Sequence, residues 1–502
     1  MSTKSSESSL PSRVIAANMH SIQILGRVDN WWYSKVAPVL AISFCAALIY
    51  QVPAWPTARS IVLIAFVGLC AGSYGHLIND AFDIEADRKA GKQNHMAEFA
   101  PWQRILFCAL ALTLGFAPAL LVSISTTSLL LLGAEFLLPT IYSAPPFRLK
   151  ERGVLGLLSD SLGAHLVPCL YVISILAHDS PSPVLVHARA SYAFVGFTAL
   201  WASSLGLIGI LIHELEDRES DLLAGSRTFA TGIEFQTVRR PMAFLYGVEL
   251  CSFAGLASVL FPVAPAVAVT GLFFVATVVV RLAAQWPHYR HYDRDTTAIQ
   301  WWQLSHPFYE TYLPLAAAIQ CACLHPALSV FPVLLLVAFA PTWKQQAEEL
   351  QDTCIAAAAW IFWGGRLDLD RSAKAFTWPL AFPRLGTHVH IGKGGPDRWS
   401  IRLVRPGLPI RGGSEYLARF KVRSDRNRKI VFGIWQDHEP WEPLGHCEEL
   451  QVSPEWQTVW RTFTATGDDR YAYFGFWLGG EQGSVDVWRL VMRKVHPSDS
   501  IR

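Results

Sequence analysis

Charge is scarce in this chain. Only 16% of its 502 residues are Asp, Glu, Lys or Arg, against about 25% in an average soluble domain. Together with 52% hydrophobic residues, this excludes a disordered chain and a coiled coil and argues against a wholly soluble enzyme. Basic excess is lacking too. Net charge is +2, whereas a nucleic-acid-binding domain concentrates positive charge, so no nucleic-acid partner is expected. The nine cysteines include no CxxC pair and no metal-ligand spacing, and they read as small core residues rather than a disulfide framework. Residues 1–35 have no apolar core followed by a cleavage site, so no removable signal peptide is expected.

The little charge there is lies unevenly. Residues 346–502 hold 40 of the 82 charged side chains, and residues 1–345 hold the other 42. The first part reads as membrane and the second as an ordinary soluble domain. Apolar segments near the length of a bilayer crossing recur at about 36–53, 59–79, 104–123, 125–142, 154–177, 191–212, 241–260, 263–285 and 311–340. The expected fold is an all-α multi-pass membrane bundle of about nine transmembrane helices followed by an all-β jelly-roll sandwich. Its parts are a polar N-terminal segment (1–35), the membrane domain (36–340), a linker with an interfacial helix (341–387) and the sandwich (388–497). Lys and Arg number 18 in the N-terminal segment and the loops after even-numbered spans, against Arg59 and Arg189 on the other side. The positive-inside rule then puts the N-terminus in the cytoplasm and the sandwich on the outer face of the cell membrane. A tenth span near Cys354–Trp363 would reverse that last placement.

Carboxylates at a membrane edge are costly and are usually functional. The second span runs into Asn79-Asp80-Ala81-Phe82-Asp83, with Asp87 four residues on. The sixth runs into His213-Glu214, with Asp217 and Asp221 again four apart. That spacing puts each set on one helix face. Hard oxygen ligands suit Mg²⁺, which prefers carboxylates together with substrate phosphates. Solvated acidic loops are the bland alternative, but they would not repeat one spacing at the ends of two spans. His76 and Glu135 interrupt apolar spans, where a lone His is more often a helix–helix partner; Glu135 is costlier to bury and could line a cavity, but neither is assigned a role. His306, Tyr309 and Glu310 stand before the last span, where they could cap a pocket.

These motifs resemble the UbiA superfamily of intramembrane prenyltransferases. Its NDxxDxxxD signature is met by Asn79, Asp80, Asp83 and Asp87. Its second, DxxxD-type motif is met by Asp217, Asp221, Gly225 and Arg227. Its Tyr-Ser-x-Pro-Pro-x-Arg-Leu-Lys stretch appears as Tyr142 to Lys150. The resemblance implies an enzyme in which Asn79, Asp80, Asp83, Asp87, Asp217 and Asp221 hold Mg²⁺, with Asp83 and Asp217 the central catalytic carboxylates. It implies that Lys92, Arg148, Lys150 and Arg227 meet the diphosphate of a prenyl or polyprenyl donor. Many members follow the first motif with a basic stretch ending in Arg-Pro, where this chain reads Arg88 to Asn94 without proline; quinone-precursor and haem-type acceptors are therefore not the expectation. The acceptor stays open, and so do a membrane terpene cyclase and a polyprenyl-phosphate sugar-phosphate transferase. A glycan-binding transporter or receptor is the alternative outside enzymes.

Trp399–Val495 resembles carbohydrate-binding modules of the galactose-binding-like jelly-roll type, at positions such as Gly413, Tyr416, Glu455-Trp456-Gln457 and Phe476. Strands are expected at Trp399–Val404, Glu415–Val422, Ile430–Trp435, Thr458–Thr464, Tyr471–Leu478 and Val485–Met492. Trp456 and Trp460 read as core. Trp435 and Trp441 are the candidates for stacking on a sugar, with packing as the competing role.

Overall fold

The computed structural model describes residues 28–289, 304–358, 366–370, 372–381 and 386–495. Most of the polar N-terminal segment, the basic loop around Arg290 and Arg294, and the end of the run Cys354–Trp363 lie outside them. The described chain divides into a helical unit (28–274 and 304–344) and a second unit (275–289 and 345–495) that contains every described strand.

The helical unit and its extensions follow the apolar segments. Its helices are α1 (Ala37–Ile49), α2 (Ala54–Ala90), α3 (Pro101–Leu121), α4 (Thr126–Ser143), α5 (Val154–Ser161), α6 (Val167–His178), α7 (Arg189–Glu216), α8 (Arg218–Ala224), α9 (Phe235–Leu260), α10 (Pro265–Tyr289), α11 (Leu313–Leu324), α12 (Val330–Ala338) and α13 (Ala340–Ala358). Burial explains why α1 sits at the centre: Ala37, Ala41, Ile42, Phe44, Cys45 and Ala46 are all fully buried, packed against α6 and α11. Helix α3 is the opposite case. Ile105 and Leu120 are 70% and 88% exposed, an outward apolar face that water would not tolerate and lipid would.

Six helical stretches among the described residues are long and apolar enough to cross a membrane, or seven if one bent pair counts as a span. The chain is a multi-pass membrane protein, but the expected nine spans are not reached by length and composition. Helix α4 carries Glu135 and several hydroxyls, which lower its apolarity. The ninth expected span, 311–340, is not continuous. It is α11, a break at His325, and then α12, bent by 74° from the start of α13. The charge bias gains a local detail: Arg59, one of its two exceptions, is neutralised by Asp179 at 2.8 Å.

The second unit holds two five-stranded antiparallel sheets, ordered β1-β4-β9-β6-β7 and β2-β3-β10-β5-β8. Their strands are β1 (Arg366–Leu369), β2 (Lys374–Ala381), β3 (Gly386–Lys393), β4 (Ile401–Ile410), β5 (Glu415–Ser424), β6 (Arg428–Gln436), β7 (Pro443–Val452), β8 (Gln457–Thr464), β9 (Asp469–Trp477) and β10 (Gly483–Lys494). Phe420, Phe432, Phe476 and Val487 lie between the sheets as the core. The strands begin at Arg366, inside the expected linker, because β1 and β2 are edge strands. Edges carry charge and proline, here Arg366, Asp368 and Pro379, which hide them from an alternation search. The edge strand β7 was missed for the same reason.

Candidate functional site

The two acidic motifs end alike. Gly91 and Gly225 each sit four residues after the last Asp of their motif, in the left-handed region at φ 70° and 76°. Each closes its helix with the same pair of bonds. Gly91 N–H donates to Arg88 O (3.3 Å) and Lys92 N–H to Asp87 O (2.9 Å); Gly225 N–H donates to Leu222 O (3.2 Å) and Ser226 N–H to Asp221 O (2.9 Å). Glycine adopts this conformation without steric cost, so it is the usual stop. The stop turns the chain back, and Lys92 Nζ reaches Asp217 Oδ2 at 2.9 Å, joining one motif to the other. Helix α8 packs on α2.

Asp83 is the most heavily engaged carboxylate. Arg148 donates to its Oδ1 at 3.0 Å, and Lys150 Nζ contacts its Oδ2 while donating to Asn79 Oδ1 at 2.8 Å. Arg148 holds this position from a left-handed backbone, φ 42°, a conformation a non-glycine residue keeps only where its surroundings fix it. Here Ser143 O and Phe82 O accept from its Nη1, both at 3.3 Å, and Glu151 accepts from its Nε at 2.7 Å. Burial lowers the Lys150 ammonium from its usual range, against the pull of Asp83. For Arg148 burial acts the same way but is outweighed by Glu151 and Asp83, so its basicity rises. Burial raises the Asp221 carboxyl, opposed by Thr228, which donates to Oδ2 at 3.2 Å, and by Lys92.

These groups line one cavity of about 920 Å³ within the helical unit. Of the residues expected from sequence, Asn79, Asp83, Asp87, Asp217, Asp221, Lys92, Arg148 and Lys150 line it. Asp80 is buried, 1% exposed, and is not among the lining residues. Arg227 is exposed and stands off the cavity wall, although Ser226 and Thr228 on either side of it line the cavity. Among the described residues no three His, Cys, Asp or Glu side chains already form a metal-holding cluster. The donor chemistry nevertheless fits a divalent ion bound with a diphosphate: carboxylates from two helix ends share one chamber, and three cations stand among them.

Sequence reasoning missed several lining or supporting residues. Asn94 Nδ2 donates to Asp87 Oδ2 at 2.7 Å and to Asp80 O at 2.8 Å, fixing the first motif. Three π turns, Trp32–Val36, Leu162–Leu166 and Phe308–Tyr312, put Lys35, His165 and Glu310 on the cavity wall. Such turns recur at functional sites because the extra residue re-aims a side chain. Glu135 and His76, left without a role, also line it; their only signal was an ionisable residue within an apolar run. His306, Tyr309 and Glu310, offered from sequence as caps of a pocket, line it too.

In the sandwich the expected tryptophan roles are exchanged. Trp435 is 2% exposed and stacks on Tyr473 and Trp477 at 5.3 and 4.6 Å. Trp456 and Trp460, read as core, are 41% and 48% exposed and lie under Arg423 and Arg419 at 4.8 and 4.1 Å. In β8 the inward positions belong to Val459 and Phe463, so Trp460 must point out. Of the candidate sugar contacts, Trp441 alone is exposed, at 44%.

The helical bundle brings two acidic motifs and three cations to one cavity. The UbiA prenyltransferase family matches residues 39–307, more than half of the chain. The chain belongs to that family and is an intramembrane prenyltransferase. It is 28% identical over 240 residues to the lycopene elongase/hydratase of Halobacterium salinarum, covering 47% of this chain and 78% of the relative. A UbiA homologue from Archaeoglobus fulgidus, solved with DMAPP and Mg²⁺, superposes with a TM-score of 0.36 at 18% identity, covering 48% of this chain and 85% of that one. A family 4 carbohydrate-binding module superposes with a TM-score of 0.24 at 20% identity, covering 26% of this chain and 86% of the module.

Proposed function

We propose that the protein transfers a prenyl group from an allylic diphosphate to the carbon–carbon double bond of an isoprenoid hydrocarbon, with Mg²⁺ required. The observation that carries this reading is the convergence of Asp83, Asp87, Asp217 and Asp221 with Lys92, Arg148 and Lys150 on a single cavity. Asn79 and these four aspartates would hold the metal, which supplies charge neutralisation of the leaving diphosphate. Lys92, Arg148 and Lys150 would exchange their carboxylate partners for phosphate oxygens, and Asn94 would keep Asp87 in place. The C–O bond then breaks with its electron pair on the diphosphate, and the acceptor's double bond attacks the allylic carbon. Asp80 and Arg227 have supporting roles at most in this scheme, behind and outside the wall.

The shape of the cavity supports a long apolar acceptor. One face of α2 lines it from Ile64 through Gly68, Ala71, Gly72 and Gly75 to Asp83 and Ala90, a length of about 39 Å at the rise of an α-helix. That is far more than a five-carbon donor needs. Lycopene, named in the H. salinarum relative, has the matching chemistry. The test is to incubate membranes containing the protein with labelled dimethylallyl diphosphate, Mg²⁺ and lycopene and to identify products by mass. Label recovered in a C45 or C50 hydrocarbon or alcohol supports the reading. Cleavage that never labels lycopene refutes the acceptor.

On the same reading the acidic motifs face the cytoplasm and the sandwich lies outside. Cys447 is exposed, so an impermeant thiol reagent should label it on intact cells, whereas a cysteine introduced at Lys92 should stay protected. Equal protection would put both on one side of the membrane. The sandwich is read as a glycan-binding module, with Trp441 and the outward Trp456 and Trp460 as stacking platforms. Truncation after Lys344 should therefore leave diphosphate cleavage within about threefold of the full chain, a shift well under one kcal/mol. A truncated protein that inserts normally but cannot cleave would contradict this division of labour.

A further inference from the structure

We propose that Glu135 is the general base that ends the transfer, taking the proton released when the acceptor's carbocation collapses to an alkene. This deepens the prenyl-transfer reading and rests on it. Glu135 lies mid-way along α4, 6% exposed, and lines the cavity. Neither a hydrogen bond nor an ion pair engages it among the described residues. A carboxylate buried without a partner is costly wherever it lies in the bundle, and no hydrogen bond or ion pair among the described residues offsets the cost.

Its depth is fixed by a contact at the end of the same helix. Ser143 Oγ donates to Asn79 Oδ1 at 3.2 Å, which pins the end of α4 to the acidic motif. Glu135 lies eight residues earlier, about 12 Å down the helix axis. The diphosphate would occupy the upper end of that interval and the allylic carbon would point down it. The acceptor double bond would then meet the allylic carbon above Glu135, beside Tyr171, which also lines the cavity and lies within electrostatic reach of the carboxylate. Glu310, His165 and His306 share the cavity, and the turn bearing His165 packs through Gly163 on Leu138 and Pro139 of α4; Glu135 is assigned the role because its own helix carries the Ser143–Asn79 bond.

The step balances as follows in the chain of bonds. The acceptor's π pair forms the new C–C bond to the allylic carbon, and the neighbouring acceptor carbon becomes a tertiary cation. A Glu135 oxygen takes a proton from the carbon beside it, and the C–H pair becomes the new double bond. The diphosphate has already left with the C–O pair, so no oxidant or reductant is needed.

The experiment uses the full chain in membranes with labelled dimethylallyl diphosphate, lycopene and Mg²⁺, reading diphosphate release and alkene product separately. In Glu135→Gln, diphosphate release should stay within about threefold of wild type while alkene product falls at least about 100-fold, the range expected for loss of a general base. Label should then appear in dimethylallyl alcohol or a hydrated product. Should that variant fail to accumulate, Glu135→Asp is read the same way: a lower alkene share at unchanged release supports the assignment, and an unchanged share overturns it. Release and alkene falling together in Glu135→Gln would mean a structural role and overturn it, as would neither falling. A wild type that releases diphosphate without labelling lycopene overturns the prenyl-transfer reading and this inference with it; a wild type whose labelled lycopene product is only the alcohol, or one that works beside an equally active Glu135→Gln, overturns this inference alone.

Discussion

Replacing Asp217 with alanine should reduce prenyl-diphosphate cleavage by about 10²–10³-fold, the scale on which removing one preorganised electrostatic group acts in a water-excluded site. The protein should still fold in the membrane. Asp217 is 38% exposed at its side chain and its close partner is Lys92, itself 36% exposed, so its loss strands no buried charge. Asp83→Ala should be as inactive but less clean. Lys150 is 9% exposed and pairs with Asp83, so removing the aspartate leaves a buried cation without its counter-ion, while the half-buried Arg148 keeps Glu151 at 2.7 Å. Asp83→Asn, which keeps shape and loses charge, separates the two effects. The check is diphosphate release per unit of membrane-inserted protein, and Asp217→Ala activity within a few fold of wild type would remove the acidic motif from the chemistry.

The second large effect is on stability, in the sandwich. Arg366 forms a two-pronged pair with Asp437, Nη1 to Oδ2 at 2.9 Å and Nη2 to Oδ1 at 2.6 Å. Both side chains are almost fully buried, and Arg366 Nε reaches Asp368 at 2.7 Å. Arg366→Ala leaves Asp437 buried without its counter-ion, which costs about 3–5 kcal/mol. The reverse change, an apolar pair such as Arg366→Met with Asp437→Leu, should recover most of that, because the desolvation of both charges is then avoided. Denaturant unfolding followed by the fluorescence of the stacked Trp435 measures the difference. A loss below about 1 kcal/mol in Arg366→Ala would mean that water reaches the pair.

What the sequence made legible follows from which signals are local. The acidic motifs were readable because i, i+4 spacing fixes a helix face whatever the surroundings, and both sets do line one chamber. The partners of those carboxylates were not. Nothing local says that Arg148 turns back at positive φ to meet Asp83, or that Asn94 braces Asp87. Asp80 and Arg227 fit a motif by spacing, yet the helix phase buries one, and the other points to solvent between Ser226 and Thr228, which line the cavity. Glu135 stood out by composition, but which way it faces depends on neighbouring helices. In the sandwich, β4, β5, β6, β8, β9 and β10 were found, while the polar edges β1, β2 and β7 were not, nor was the inner strand β3, whose His388 and His390 break its apolar run. The tryptophans were misplaced because alternation gives two faces without saying which is inside. Burial of Trp435 and exposure of Trp460 are decided by what packs across each sheet.

The most direct measurement of the central claim is release of diphosphate from labelled dimethylallyl diphosphate by the purified full-length protein in lipid, with Mg²⁺ and with EDTA. The account predicts release with Mg²⁺, loss of release with EDTA, restoration when Mg²⁺ is added back, and at most about a hundredth of that release from Asp217→Ala under any of these conditions. Release that continues undiminished in EDTA, or that Asp217→Ala matches, would contradict it.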